Sequence, residues 1–101
     1  MSLAVIVTPE AEEDIEEVRD RLSQRHSGLE VIFLTRLRDL LRRIEQMPEM
    51  YATIWNQVRA ACPAKFPFVV YYHVLSDRIA VIAVIAVMHG SRDWSAWQSR
   101  V

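Results

Sequence analysis

Residues 78–88 read RIAVIAVIAVM, and every residue after the first is apolar. β-Branched residues favour extended strands, in which successive side chains point to opposite faces. Since both faces of this segment are apolar, the pattern predicts a central strand covered on both sides. The cover could come in part from the C-terminal tail, a partner chain or a second copy. As a helix the run is too short to span a bilayer, which takes about 20 residues.

The neighbouring segments predict strands that pair with this one. Residues 66–75 (FPFVVYYHVL) are aromatic and β-branched, and Ser76-Asp77 suits a tight turn between the two strands. A short strand is predicted near residues 58–61 within an otherwise irregular stretch. Residues 3–7 (LAVIV) open the chain as a buried strand.

Two helices are predicted between these strands. The first runs from Pro9 to about residue 26, because Thr8 can cap it and acidic residues crowd its positive end. Gly28 ends the first helix. A second helix follows, from about residue 29 to about residue 47, and Pro48 ends it. Each helix has one apolar stripe: Ala11, Ile15, Val18 and Leu22, then Leu29, Phe33, Leu37, Leu40, Leu41 and Ile44.

These elements predict one α+β domain over residues 1–101. The expected order is β-α-α-β-β-β, with an antiparallel helical hairpin packed on an antiparallel sheet of three or four strands. A short C-terminal helix or tail begins near Ser91. Hydrophobic residues make up 51% and charged residues 25% of the chain, a globular balance.

Composition also limits the setting of the protein. Cys62 is the single cysteine, and the acidic N-terminal region does not resemble a signal peptide, so we expect a cytoplasmic protein. Residues 1–51 carry a net charge of −4 and residues 52–101 one of +3. A nucleic-acid site would therefore lie in the second half, unless the surface charge is simply uneven.

Four segments, in order along the chain, resemble one known family. They are TPEAEEDIEEV, IEQMPEM, VRAACPAKFPFVVYYHV and DRIAVIAVIAVMHGSRDW. The chain thereby resembles the RelE/ParE superfamily, the toxins of type II toxin–antitoxin modules, and most of all its ParE-like plasmid stabilisation branch. It departs from the RNA-cleaving members in having one lysine between residues 61 and 65 and a slightly acidic net charge of −1.

The resemblance implies three alternative functions. The first is a ParE-like toxin that inhibits growth through DNA gyrase and is neutralised by a cognate antitoxin. The second is a RelE-like, ribosome-dependent and metal-independent mRNA endonuclease, with the ribosome and mRNA as partners. The third is a non-toxic binding module of the same fold. A homodimer or a toxin–antitoxin hetero-oligomer is implied as the assembly, with an antitoxin segment in an apolar groove or added to the sheet edge.

RNA cleavage without a metal needs a base, an acid and cations that hold the phosphate. By position, Arg59, Lys65 and Arg92 would hold the phosphate. His89 or a tyrosine, Tyr72 or its neighbour Tyr71, would carry the proton; His73 is a further candidate. Trp94 and Trp97 would bind a partner or pack the tail onto the body. We expect residues 58–92 to gather such side chains on a sheet face that the helices leave open.

Each candidate also has a structural interpretation. Arg59 could pair with an acidic helix residue, and Arg92 with Asp93. Lys65 could be a solvated loop residue, and His89 could cap the sheet edge. The two adjacent tyrosines point to opposite faces of their strand, so at least one belongs to the core. No metal-ligand spacing and no phosphate-binding glycine loop is present, so no metal or cofactor is predicted.

Overall fold

The computed structural model describes residues 3–62, 68–86 and 98–100. These ranges contain, in chain order, β1 (Ala4–Val7), α1 (Pro9–Arg25), α2 (Leu29–Gln46), β2 (Thr53–Trp55), β3 (Val58–Ala61), β4 (Phe68–Val74) and β5 (Arg78–Ala86). The predicted α+β class and helical hairpin are confirmed. The described ranges hold one strand more than the predicted order, because β2 was missed. The tail predicted from Ser91 lies outside the described residues up to position 97.

The five strands form one sheet in the order β1-β5-β4-β3-β2. β1 runs parallel to β5, and the other neighbours are antiparallel. The two helices carry the chain from β1 at one edge of the sheet to β2 at the other, and the last strand, β5, returns to pair with β1 in the parallel direction. β5 has β4 on one side and, along residues 78–81, β1 on the other, as expected of a central strand.

Both helices begin with the local signals present in the sequence. The Thr8 hydroxyl accepts a hydrogen bond from the Ala11 amide at 3.2 Å, and Pro9 occupies the first helical position. Gly28 adopts φ +92°, a left-handed conformation that L side chains rarely take, between α1 and α2. Within the described ranges, neither helix is both long and apolar enough to cross a membrane.

The sheet separates two apolar clusters. On the helix side, Phe33 of α2 packs edge-to-face on Phe68 of β4, with ring centroids 4.8 Å apart. On the opposite side the buried members are Val58, Val69, Tyr71, Ile82 and Ala83. β5 contributes to both clusters, so the predicted cover on both faces is confirmed. Each of these five side chains is at most 8% exposed.

A β-bulge changes the direction of side chains along β5. Tyr71 lies across from Ala83 while Tyr72 lies across from Val81, so Ile82 has no partner on β4. Consequently Ile82 and Ala83 both belong to the opposite-face cluster, and Val84 returns to the helix side. Because the segment is apolar at nearly every position, its residue pattern carries no signal of this bulge.

The hairpin between β2 and β3 turns at two residues of positive φ. Asn56 has φ +46° and Gln57 φ +65°, and Trp55 pairs with Val58. Two-residue hairpin loops require this conformation, which asparagine tolerates and glutamine rarely adopts. The strand β2 was missed because Asn-Gln is a weak hairpin signal compared with Asn-Gly.

Replacing Gln57 by glycine should stabilise the protein. A left-handed residue with a side chain costs about 1–2 kcal/mol, partly offset by the entropy that glycine loses on folding, so Gln57→Gly should raise the free energy of unfolding by about 1 kcal/mol. Urea unfolding measures the change. The control, Asn56→Gly, should gain less because asparagine already tolerates this conformation. An unchanged or lower free energy of unfolding for Gln57→Gly would show that the backbone of Gln57 is not strained.

Candidate functional site

Two of the predicted site residues hold the α2–β2 loop, residues 47–52, against the sheet. Tyr72 is fully buried on β4, and its hydroxyl donates a 2.7 Å hydrogen bond to the carbonyl oxygen of Pro48. Its ring also stands edge-to-face to Tyr51, with centroids 6.5 Å apart. The side chain therefore joins the loop to the middle of the sheet.

Arg59 lies on β3 directly across from Tyr72. Its Nη1 atom donates to the carbonyl oxygens of Glu49 at 3.2 Å and Tyr51 at 2.5 Å. Hydrogen bonds from a charged donor are among the stronger ones in proteins. Among the described residues Arg59 forms no ion pair, so the interpretation that it pairs with an acidic helix residue is wrong.

Burial raises the pKa of the Tyr72 phenol from 10.0 to about 12. The positive charge of Arg59 lowers this pKa and the neighbouring Tyr51 raises it, both less than burial does. The hydroxyl is therefore neutral at physiological pH, and its hydrogen is already engaged in the hydrogen bond to the Pro48 carbonyl oxygen. A general acid or base works best with a pKa near the working pH, so Tyr72 is poorly suited to carry a proton.

The described candidates are divided between the two sheet faces. Tyr72 packs in the helix-side cluster, whereas Tyr71 packs in the opposite one, as the strand alternation predicts. His73, across from Val58 and Ala80, is partly exposed. The expectation that these side chains gather on one face left open by the helices is wrong for Tyr72 and for Arg59, which lies directly across from it and therefore on the same face. The helix pair covers the face to which Tyr72 belongs.

The other candidates, Lys65, His89, Arg92, Trp94 and Trp97, lie outside the described residues, so their roles stay predictions. Over the described ranges no group of three or more His, Cys, Asp or Glu side chains could hold a metal ion. Sequence reasoning missed the acceptors in the α2–β2 loop. They are backbone carbonyl oxygens, which leave no signal in a sequence.

Two comparisons with known proteins found matches, one to a family and one to a fold. A family model described as the ParE toxin of the type II toxin–antitoxin system, parDE, matches residues 5–94. Among solved structures, the chain is similar to one described as the chromosomal ParDE TA system from P. aeruginosa. That likeness has a TM-score of 0.76 at 14% identity and covers 86% of this chain and 98% of that chain. No protein with a curated description matches the sequence.

Removing the Tyr72 hydroxyl should change how stability depends on pH. In the wild type the folded-state pKa of about 12 exceeds the unfolded value of 10.0, so the associated stability is complete below pH 10 and is lost towards pH 12. Tyr72→Phe should lower the free energy of unfolding at pH 8 by about 1–2 kcal/mol, because the variant lacks the hydroxyl that donates to the Pro48 carbonyl oxygen.

The same variant should lose less further stability between pH 10 and 12 than the wild type does. Urea unfolding at a series of pH values measures both effects. Tyr51→Phe is the matched control, since Tyr51 is a partly exposed tyrosine beside the same loop. Parallel pH profiles for wild type and Tyr72→Phe would show that the Tyr72 phenol does not have a raised pKa.

Proposed function

The chain belongs to the ParE toxin family of type II toxin–antitoxin systems, and on this premise we propose that it inhibits growth by binding DNA gyrase. The match over residues 5–94 carries the proposal, because it extends from β1 beyond the end of β5. In this proposal the chain acts in the cytoplasm, where gyrase and DNA are found. A cognate antitoxin neutralises it by binding the folded domain.

The geometry of Arg59 and Tyr72 favours binding over chemistry. An RNA-cleaving site needs cations that face a phosphate and a group that exchanges protons with solvent or substrate. Nη1 of Arg59 is engaged by two loop carbonyl oxygens, and the hydroxyl of Tyr72 is engaged by a third. A nuclease would therefore depend on Lys65, His89 and Arg92.

Exposed apolar side chains support the presence of a protein partner. Four large ones lie in one stretch of chain comprising the α2–β2 loop and β2: Met47, Met50, Ile54 and Trp55. Exposed apolar surface of this kind is common at protein–protein interfaces. We propose that the antitoxin covers apolar surface of this domain, with Trp94 and Trp97 of the tail among its contacts.

Controlled expression in bacteria tests the proposal. We expect growth arrest with filamentous cells and an induced DNA-damage response, because blocked gyrase leaves DNA breaks. Co-expression of the gene adjacent to this one should restore growth if that gene encodes the antitoxin. Microscopy, a DNA-damage reporter and colony counts provide the readouts.

Two variants separate gyrase binding from RNA cleavage. His89→Gln and Arg92→Ala remove the proton carrier and a phosphate ligand that a nuclease would need, while Arg78→Gln removes an exposed charge on β5 as the matched control. If arrest came with rapid loss of translation and cleaved messages, and if both site variants abolished it, the chain would be a nuclease. Harmless expression of the wild type would instead favour a non-toxic binding module.

A further inference from the structure

β5 extends beyond the strand that flanks it on one side. β1 pairs with β5 only from Ala4–Arg78 to Val7–Val81, and the Thr8 amide then donates to the Val81 carbonyl oxygen at 3.1 Å. On its other side β5 stays paired with β4 as far as Ala86. In the described part of the chain, residues 82–86 therefore have a neighbouring strand on one side only. Such an edge can accept a strand from another chain.

Two side chains distant in sequence occupy hydrogen-bonding positions on this edge. Asp14 of α1 accepts a hydrogen bond from the Val84 amide at 3.0 Å. Nη1 of Arg100 donates to the Ile82 carbonyl oxygen at 3.0 Å. Asp14 thus acts as the acceptor, and Arg100 as the donor, that the backbone of an added strand would otherwise supply. Ile82 is the bulge residue, and no residue of β4 lies opposite it.

The same two side chains form an ion pair with each other. Arg100 Nη1 lies 2.6 Å from Asp14 Oδ2, and Nη2 lies 3.3 Å from Oδ1. The side chains are 22% and 11% exposed, whereas those of the other ion pairs among the described residues are between 40% and 68% exposed. The hydrogen bond to Asp14 raises the pKa of the Arg100 guanidinium above its usual value, although burial opposes the rise. This pair is sheltered from the solvent screening that weakens surface pairs.

We propose that Asp14 and Arg100 form a clasp that guards the edge of β5 against strand addition. The clasp attaches Arg100 to the sheet. It occupies one backbone donor of the edge, the Val84 amide, and one backbone acceptor, the Ile82 carbonyl oxygen. The strand it excludes is the same edge of a second copy of this chain. Residues 82–86 are uncharged and rich in β-branched side chains, a composition that favours pairing between identical strand edges.

Hydrogen exchange of the Val84 amide tests the clasp itself. Asp14→Ala removes the acceptor, and exchange of this amide measured by NMR should quicken about tenfold or more. Arg78→Gln is the matched control, because its charge lies on the same strand but in an exposed pair with Asp77. Exchange in that control should equal the wild type. Unchanged Val84 exchange in Asp14→Ala would overturn the proposal.

The mass of the protein in solution tests the guarding role. Arg100→Gln removes one half of the clasp. Because the substituted residue lies near the end of the chain, we expect the fold to persist, and circular dichroism of the variant checks this. Light scattering coupled to size exclusion should then show mass rising with concentration beyond the wild type, as two copies pair. Arg78→Gln should follow the wild type. If Arg100→Gln keeps the wild-type mass at every concentration, the edge needs no guard. This test does not depend on toxicity or on gyrase.

Discussion

The structure depends on the burial of β5 from both faces and on its pairing with β4, joined by β1 along residues 78–81. Its side chains enter the helix-side cluster and the opposite cluster, and its backbone pairs with β1 and β4. Beyond the exposed Arg78 at its start, a strand in this position must be apolar, since a charge there would be buried without a partner. The other elements are arranged around it: α1 and α2 carry the chain from β1 to β2 at the far edge, which leaves the place beside β1 for β5.

Much of the fold could be predicted from sequence because its signals are local. The stripes of α1 and α2, the Thr8 cap and the turn at Gly28 indicate elements whose limits agree with the structure within about a residue or two. β2 could not be predicted, because three residues and an Asn-Gln turn leave little signal. The bulge at Ile82 was also hidden, since a segment that is apolar at every position looks the same in either register.

The candidate site was harder to predict for a different reason. A sequence shows that Arg59 and Tyr72 are capable of chemistry, but it does not show what their polar atoms contact. In the structure both contact backbone carbonyl oxygens of the α2–β2 loop, which any residue type could supply. Asp14 was similarly hidden among the acidic residues of α1, and only the tertiary structure distinguishes it from the solvated carboxylates around it.

These contacts connect the fold to the proposed mode of action. In the proposed mode of action the protein acts by binding, and Arg59 and Tyr72, which a nuclease would keep for its substrate, instead hold the α2–β2 loop against the sheet. The most direct measurement is a supercoiling assay with purified gyrase, relaxed plasmid and increasing amounts of this protein, alongside a cell-free translation reaction. We expect supercoiling to fall while messages stay intact. Full supercoiling together with cleaved messages would contradict the account.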